Sequence, residues 1–318
     1  MIMAINRRNF IKNVGVGSIV LPIAPLYVRK CRQDQQQEPL EVHLFSKHLQ
    51  FLNLKEAGQI AAEIGFDGLD LTVRPKGHVL PENVKSGLPA AIRDIKSGGS
   101  SCKMMTTAID DASDPQDAQT IKSAAAEGIE FYRSNWFDYK KDISLEESLN
   151  LYKEKVRQLG ELNKENNIIG CYQNHSGIKV GASVWEVKKI LETVDPAFFG
   201  TQYDIRHAVV EGGKSWSNGV KLLQDNIKTI VLKDFKWGIV KGKWQLINVP
   251  MGEGMVDFDA YFKLLKSLGL KPPVSLHFEY PLGGANKGHY EITVDHKVVY
   301  DAMKKDLAKV QELWRNAV

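Results

Sequence analysis

The chain has 318 residues, of which 43% are hydrophobic and 25% are charged, as in soluble globular proteins with a sizeable core. Its net charge of +4 arises in the first 30 residues, which hold no acidic residue and five basic ones: Arg7, Arg8, Lys12, Arg29 and Lys30. Taking these five from the 42 basic residues leaves 37 against 38 acidic residues, so the rest of the chain is nearly neutral and lacks the basic surface of a nucleic-acid-binding protein.

Residues 1–30 are predicted to be an export signal of the twin-arginine type. The string NRRNFIK precedes an apolar run that is short and interrupted by Gly and Pro, which disfavours a membrane span. A disordered basic tail, or an anchor through residues 13–28, is the alternative. The polar residues 31–39 are predicted to be a linker before a folded domain at 40–318. The expected protein is exported and periplasmic, with no stable membrane span in its mature form.

From residue 41 the chain alternates between short β-like runs and amphipathic helical patterns. Strands are predicted at 41–45, 68–73, 103–109, 129–137, 167–173, 198–204, 227–235 and 274–280. Helices are predicted over 54–65, 83–97, 117–128, 144–166, 183–194, 215–226, 257–269 and 292–315. Ser144 and Glu147 have the spacing of a capping box. The longer segment 235–257 predicts a small hairpin around VKGKW, over the mouth of the domain.

Eight strand-then-helix units over about 275 residues predict an α/β protein, a single-domain (β/α)8 TIM barrel. A doubly wound open sheet is the alternative. No Gly-rich phosphate loop follows the first strand, so no nucleotide cofactor is expected. Cys31, Cys102 and Cys171 are too widely spaced to indicate a metal site, and Cys171 is expected in the core.

In such a barrel the catalytic side chains lie at the carboxyl ends of the strands. The candidates at these ends are His78, Arg133, Trp136, Gln173, Asn174, His175, Asp204, His207, Lys233 and Glu279. Polar residues also gather there because loops are solvated, and Arg74 and His78 fit a loop-shaping role equally well. Period-2 alternation places Ser275, His277 and Glu279 on the face towards the barrel axis.

The chain resembles the xylose-isomerase-like TIM barrels, specifically the sugar phosphate isomerase/epimerase group, over about residues 40–315. The resemblance rests on GLDLTVRPKGHVLPE, QNHSG, DIRH, LKD, PMGEGMVDF and FEY, in this order. It implies four metal ligands: a Glu after the fifth strand, an Asp after the sixth, a His in the seventh and a Glu in the eighth. Asp204 and Glu279 match, and His207 matches a substrate-contacting His. Gln173 and Val231 depart from the pattern.

Gln173 keeps the shape of Glu without its charge, and two altered ligands weaken any site for Mn²⁺, Mg²⁺ or Zn²⁺. Two interpretations stay open. In the first, the site is metal-free and Lys233 places a positive charge where the cation would be. In the second, His175 joins Asp204, Glu279 and Gln173 to rebuild a metal site.

The expected function is that of an exported carbohydrate-active enzyme of the isomerase/epimerase type, which moves a proton next to the carbonyl of a sugar or keto-sugar. Glu279 or His175 is the predicted base, and Lys233 the group that stabilises the enediolate or enolate. The predicted substrate-binding residues are His207, Arg133, Asn174, His78 and Trp136. A lyase or hydratase acting on 3-keto-sugars is one alternative, and a non-catalytic sugar-binding barrel with a decayed metal site is another. The sequence leaves the oligomeric state open.

Overall fold

The computed structural model describes residues 38–318, which form one compact unit. The predicted signal segment and all but the last two residues of the predicted linker lie outside the described residues. Within residues 38–318, eight parallel strands close a barrel in chain order, each paired with the one before it and the last paired with the first. The predicted (β/α)8 barrel is therefore confirmed.

The barrel strands are Val42–Phe45 (β1), Gly68–Val73 (β2), Met104–Thr107 (β3), Phe131–Arg133 (β4), Ile169–Gln173 (β5), Phe199–Asp204 (β6), Ile227–Leu232 (β7) and, after a hairpin of Asp234–Val240 (β8) and Lys243–Val249 (β9), Val274–Leu276 (β10). The α-helices are Leu54–Ile64 (α1), Val84–Ser97 (α2), Pro115–Ala126 (α3), Leu145–Asn166 (α4), Val184–Ile190 (α5), Ile205–Gly212 (α6), Trp216–Leu223 (α7), Phe258–Ser267 (α8) and His296–Asn316 (α9).

Side-chain alternation divides each strand between the barrel axis and the surrounding helices. In β5, Tyr172 points outwards, where its ring stacks on Phe137 at 5.4 Å, whereas Gln173 points towards the axis and the mouth. Both are buried, because a parallel barrel covers both faces of its strands. The predicted capping box is confirmed at the start of α4, where the Ser144 side chain accepts a hydrogen bond from the backbone of Glu147.

Several elements differ from the sequence prediction, among them β4, which covers Phe131–Arg133 rather than 129–137. Helix α6 was not predicted, since it has only eight residues and begins directly at the end of β6. The last strand ends at Leu276 rather than at residue 280. Beyond it the backbone N–H of Phe278 donates to the His48 ring at 3.1 Å, so the chain leaves the ladder of the barrel to bond a side chain.

The predicted hairpin is confirmed as β8 and β9, which pair in antiparallel register. Its two-residue turn, Lys241 and Gly242, has φ angles of 51° and 75°, as a type I′ turn requires. The base of the hairpin is fixed to the barrel mouth by Arg206, which donates to the Asn248 side-chain oxygen at 2.7 Å. Among the described helices none is both long enough and apolar enough to cross a membrane.

Candidate functional site

A pocket opens at the carboxyl ends of the strands, where a TIM barrel places its chemistry. Its cavity volume is about 70 Å³. Its lining residues are Phe45, Lys47, Arg74, Arg133, Trp136, Gln173, His175, Lys233, His277 and Glu279. A larger cleft, with a cavity volume of about 280 Å³, lies on the flank of the barrel beside α5 and α7, and Glu211 is the one charged residue that lines it. The mouth pocket is therefore the candidate active site.

Lys233 links two carboxylates inside this pocket. It follows the last residue of β7, and its Nζ lies 3.1 Å from Asp204 Oδ2 and 3.3 Å from Glu279 Oε1. The two acidic residues come from β6 and from the loop after β10, the elements on either side of β7. Because Lys233 and Asp204 are almost fully buried, this ion pair is shielded from solvent.

Gln173 joins the same network through both ends of its amide. Its Nε2 donates to Asp204 Oδ2 at 2.8 Å, and its Oε1 accepts from an Arg133 NH group at 3.3 Å. A glutamate at this position would have no proton to donate to Asp204 and would place a second negative charge against it. The amide thus belongs to a network in which Asp204 receives its hydrogen bonds from Gln173 and its positive charge from Lys233.

The Asp-x-x-His spacing is that of a helix cap. Asp204 ends β6 and caps α6, since its Oδ1 accepts the backbone N–H of His207 at 3.0 Å. The His207 Nδ1 accepts the backbone N–H of Ser176 at 3.1 Å, which places the ring proton on Nε2, 3.6 Å from Asp204 Oδ2. Burial and the charge of Lys233 hold the pKa of His207 well below its usual range, so the ring is neutral.

Glu279 is the carboxylate that reaches the open part of the pocket, with 25% of its side chain exposed. Burial alone would raise its pKa, but the charge of Lys233 and the neighbouring His277 hold that pKa well below the usual range. The His277 ring stacks on Phe45 at 4.2 Å, and burial lowers its pKa to about 4. Glu279 is therefore ionised and able to accept a proton.

The loops after β4 and β5 carry Trp136 and His175, whose rings are 4.6 Å apart. His175 Nδ1 lies 2.9 Å from the Ser176 carbonyl oxygen, which can only accept, so the neutral ring has its lone pair on Nε2. Burial and the charge of Lys233 lower the pKa of His175. Trp136 donates its indole N–H to the Gln173 carbonyl at 3.2 Å and presents its face to the Arg133 guanidinium at 4.0 Å.

These residues do not fit a divalent cation. Lys233 Nζ already occupies the place between the carboxylates of Asp204 and Glu279. At the position of the family's seventh-strand His stands Val231, which is aliphatic and fully buried. No group of three His, Cys, Asp or Glu side chains within residues 38–318 is arranged to hold a metal ion. The metal-ligand set of Asp204, Glu279, Gln173 and His175 stays a prediction that this geometry does not favour.

Three predicted substrate-binding residues lie outside the lining of the pocket. Asn174 exchanges two hydrogen bonds with the backbone of Asp204, at 2.9 and 2.8 Å, and is fully buried. His78 Nδ1 lies 3.1 Å from Thr72 Oγ1, in the loop after β2. His207 is covered as well, with 2% of its side chain exposed. Their contact with substrate stays a prediction.

Four lining residues were not selected as site residues from the sequence, namely Phe45, Lys47, Arg74 and His277, although the last three stand at strand ends and His277 was predicted to face the barrel axis. A loop-shaping role was favoured for Arg74, whereas the structure turns it into the pocket. The available signal was position, because Arg74 follows the last residue of β2 and Lys47 is two residues beyond β1. The same criterion selected Lys233 after β7.

Asp234, next to Lys233, has a structural role. Its two carboxylate oxygens accept backbone N–H groups of Phe235, Gly252, Gly254 and Val256, at 2.8 to 3.2 Å. A Cβ on Gly254 would lie 2.2 Å from Asp234 Oδ1, so a glycine is required there. The loop after β9 is thereby held against the residue that follows Lys233.

Comparison with known proteins agrees with this fold. The family model for the xylose isomerase-like TIM barrel matches residues 58–293. A D-psicose 3-epimerase from Clostridium cellulolyticum H10 superposes with a TM-score of 0.65 at 12% identity, covering 86% of this chain and 99% of that one. The 3-keto-D-glucoside 4-epimerase of E. coli gives a TM-score of 0.61 at 13% identity, covering 85% and 99%.

A magnesium complex of a xylose isomerase-like TIM barrel protein from Mycobacterium smegmatis has a TM-score of 0.62 at 12% identity, covering 86% of this chain and 98% of that one. At such identities the similarity shows the fold alone. Among curated proteins, an inosose dehydratase of Clostridium tetani is 27% identical over 168 residues, which are 48% of this chain. The match spans 54% of that relative, about half its length.

Proposed function

Since the chain belongs to the xylose isomerase-like TIM barrel family, we propose that it is a carbohydrate-acting enzyme, of isomerase/epimerase or lyase type, that moves a proton next to a sugar carbonyl. The observation that carries this proposal is the arrangement of Lys233 and Glu279 in the mouth pocket, with 3.3 Å between Nζ and Oε1. The ammonium group faces the position of a developing oxyanion, beside a carboxylate that can take a proton. Relatives named epimerases and dehydratases support the same class of chemistry.

The proposed first step is the removal of the proton on the carbon next to the carbonyl by Glu279. The electron pair of that C–H bond moves to the carbonyl oxygen, and Lys233 stabilises the resulting enolate. A preorganised donor of this kind contributes about 3 kcal/mol to the transition state in other enzymes. The paired Asp204 keeps Lys233 in position and is itself buried behind it.

A single carboxylate suffices for two of the candidate reactions. Glu279 can return its proton to the former carbonyl carbon while the hydroxyl proton on the neighbouring carbon passes to the enolate oxygen, which moves the carbonyl by one carbon and is an isomerisation. It can instead give the proton to a departing hydroxyl group on the same face, which releases water and leaves a carbon–carbon double bond. Epimerisation needs a second group on the opposite face of the substrate, and His175, which lines the pocket with a lone pair on Nε2, is the candidate for that role. Because Glu279 is the single carboxylate among the lining residues, we place one-base isomerisation or elimination ahead of epimerisation.

Export remains part of the proposal. The paired Arg7 and Arg8 ahead of an apolar run support a twin-arginine signal and a periplasmic enzyme. Free sugars, oxidised sugars and cyclic polyol ketones are then the substrate class, rather than cytoplasmic phosphorylated metabolites.

Deuterium exchange tests the proposal directly. The protein is incubated in D2O with ketohexoses, a 3-keto-glucoside and an inosose, and NMR follows the carbon next to each carbonyl. We expect deuterium uptake on at least one compound, together with an isomer or an unsaturated product. In Glu279→Gln the rate should fall on the order of 10²- to 10⁴-fold. Glu291→Gln, at an exposed position, is the matched control.

The outcomes separate the functional classes. Isomer formation with retained oxygen identifies an isomerase, and loss of water identifies a lyase. Binding of these sugars with no exchange and no product would reject an enzyme and support a non-catalytic sugar-binding barrel.

A further inference from the structure

The mouth pocket has more positive than negative charge. Four cationic side chains line it, namely Lys47, Arg74, Arg133 and Lys233, whereas Glu279 supplies the single carboxylate among the lining residues. Lys233 is paired with Glu279 and Asp204. The proposed proton-transfer step does not require the other three cationic side chains.

Arg133 is the most strongly buried of these three, with 4% of its surface exposed. One of its NH groups donates to Gln173 at 3.3 Å, and its buried Nε has no hydrogen-bond partner within residues 38–318. A buried donor without a partner destabilises a protein by about 1–3 kcal/mol, so such groups are uncommon unless a ligand completes them. The guanidinium carbon lies over the Trp136 ring, 4.0 Å from the ring centre.

The nearest acidic residue on this side does not pair with Arg133. Asp70 is buried below the pocket and accepts hydrogen bonds from Ser275 Oγ at 2.6 Å and Thr106 Oγ1 at 3.1 Å. Burial raises the pKa of Asp70, which weakens its hold on a neighbouring cation.

Lys47 and Arg74 complete the group. Within the described part of the chain, the side-chain nitrogens of neither residue have a hydrogen-bond or ion-pair partner, and the Arg74 guanidinium lies 5.5 Å from the Phe45 ring centre. After burial and the opposing effect of Glu279, the charges of Arg74, Lys233 and Arg133 each lower the pKa of Lys47. The four cations therefore lie close enough to repel one another.

We infer that the substrate is an anionic carbohydrate whose carboxylate is bound by Arg74, Arg133 and Lys47, while its carbonyl faces Lys233 and Glu279. The inference rests on the proposed function and narrows its substrate class to sugar acids, such as uronates and keto-aldonates. A planar guanidinium edge matches a planar carboxylate through two parallel N–H···O bonds. A bound carboxylate also relieves the repulsion among the cations.

A phosphate group would bind the same cations as a carboxylate. A neutral sugar would offer them a negative charge only when its enolate forms. Binding affinities measured without reaction distinguish these three anions. The full chain is titrated by calorimetry, at low ionic strength, with hexuronates and 2-keto-aldonates, with the neutral aldoses and ketoses of the same configuration, and with a hexose 6-phosphate.

We expect at least one sugar acid to bind tenfold or more tightly than its neutral counterpart. Arg74→Gln should remove most of that difference. Arg93→Gln, an exposed arginine on α2, is the control and should change neither affinity. Thermal melting of each variant verifies that it is folded.

Three results would overturn the inference: sugar acids that bind no better than neutral sugars, an advantage that Arg74→Gln leaves intact, or a phosphate preference over every carboxylate. The proposed function fails differently. If sugar acids bind through Arg74 but no compound exchanges deuterium, the anion site stands and the enzyme proposal falls. If neutral keto-sugars exchange deuterium and sugar acids bind no better than they do, the enzyme proposal stands and the anion site falls.

Discussion

The two sides of the barrel mouth differ in how their charges are satisfied. On the side of β5 to β10, Asp204, Lys233, Glu279 and Gln173 form a closed network at distances of 2.8 to 3.3 Å. The side of β1 to β4 holds Lys47, Arg74 and Arg133. Their side chains make one hydrogen bond within the described chain, which Arg133 donates to Gln173. Lys47 and Arg74 are half-buried, whereas Asp204, Lys233 and Gln173 are buried, and the network of the paired side is complete in the free protein.

The difference separates two tasks of an active site. Groups that carry out chemistry must be held in position before substrate arrives, and the protein itself provides their partners. Groups that recognise substrate have to keep their hydrogen bonds for the ligand. The paired side is thus the proposed reaction centre, and the unpaired side is the proposed recognition surface.

The largest expected effect is the loss of the Lys233 charge. Lys233→Met leaves Asp204 buried without its cation, which costs about 3–5 kcal/mol in the free energy of unfolding. Lys236→Met, at an exposed position on the hairpin, should cost within about 0.5 kcal/mol. Urea denaturation of both variants measures the difference, and equal midpoints would mean that the network does not depend on this ion pair.

The second prediction concerns the metal. Lys233→Met combined with Gln173→Glu removes the ammonium group and restores a third carboxylate beside Asp204 and Glu279. We expect this variant to bind Mn²⁺ at least tenfold more tightly than the parent chain, since hard cations prefer charged oxygen ligands. Mass spectrometry of bound metal and calorimetry provide the measurement. Tighter Mn²⁺ binding by the parent chain would show that Lys233 does not replace the cation.

The third prediction compares one buried histidine from each side. Burial lowers the pKa of His277 and of His78 to about 4, from the ordinary value of 6.5. The unfolded chain therefore takes up more protons than the folded one as pH falls below about 6.5, and stability decreases from there towards pH 4. Each histidine contributes up to about 1.4 kcal/mol per pH unit within this window.

Urea denaturation at pH 7 and pH 5 tests this dependence. His277→Gln and His78→Asn should each reduce the loss of stability between the two pH values, and the exposed His289→Gln should not. If only one of the variants His277→Gln and His78→Asn reduces the dependence of stability on pH, the two sides differ in more than the pairing of their charges.

The smallest effect is expected on the unpaired side. Arg74→Gln removes a cation without a polar protein partner, so the free energy of unfolding should change by no more than about 0.5 kcal/mol. A small stabilisation is the favoured direction, because Lys47 and Arg133 lose a repulsive neighbour. A loss of 2 kcal/mol or more would show that Arg74 supports the fold, and the recognition surface would then reduce to Lys47 and Arg133.

Much of the fold followed from local pattern. Strand β2 was predicted at its observed bounds, and the capping box of α4 and the type I′ turn of the hairpin are short-range motifs that act wherever they occur. Helix α6 was not predicted because its N-cap residue, Asp204, was interpreted as a site residue. In the structure the Asp204 side chain caps the helix and also belongs to the site. The signal segment and its consequences for localisation are carried by residues outside 38–318 and stay predictions.

The sequence by itself determined which residues stand at the strand ends, because the period of the hydrophobic pattern defines eight βα units and hence one common mouth. Only the tertiary structure decided which of them meet. Lys233 bridges Asp204 and Glu279 because barrel closure sets β7 between β6 and β10, although Glu279 is 75 residues from Asp204 along the chain. Charge pairing depends on distances of a few ångströms across strands that are remote in sequence, and local pattern holds no information on those distances.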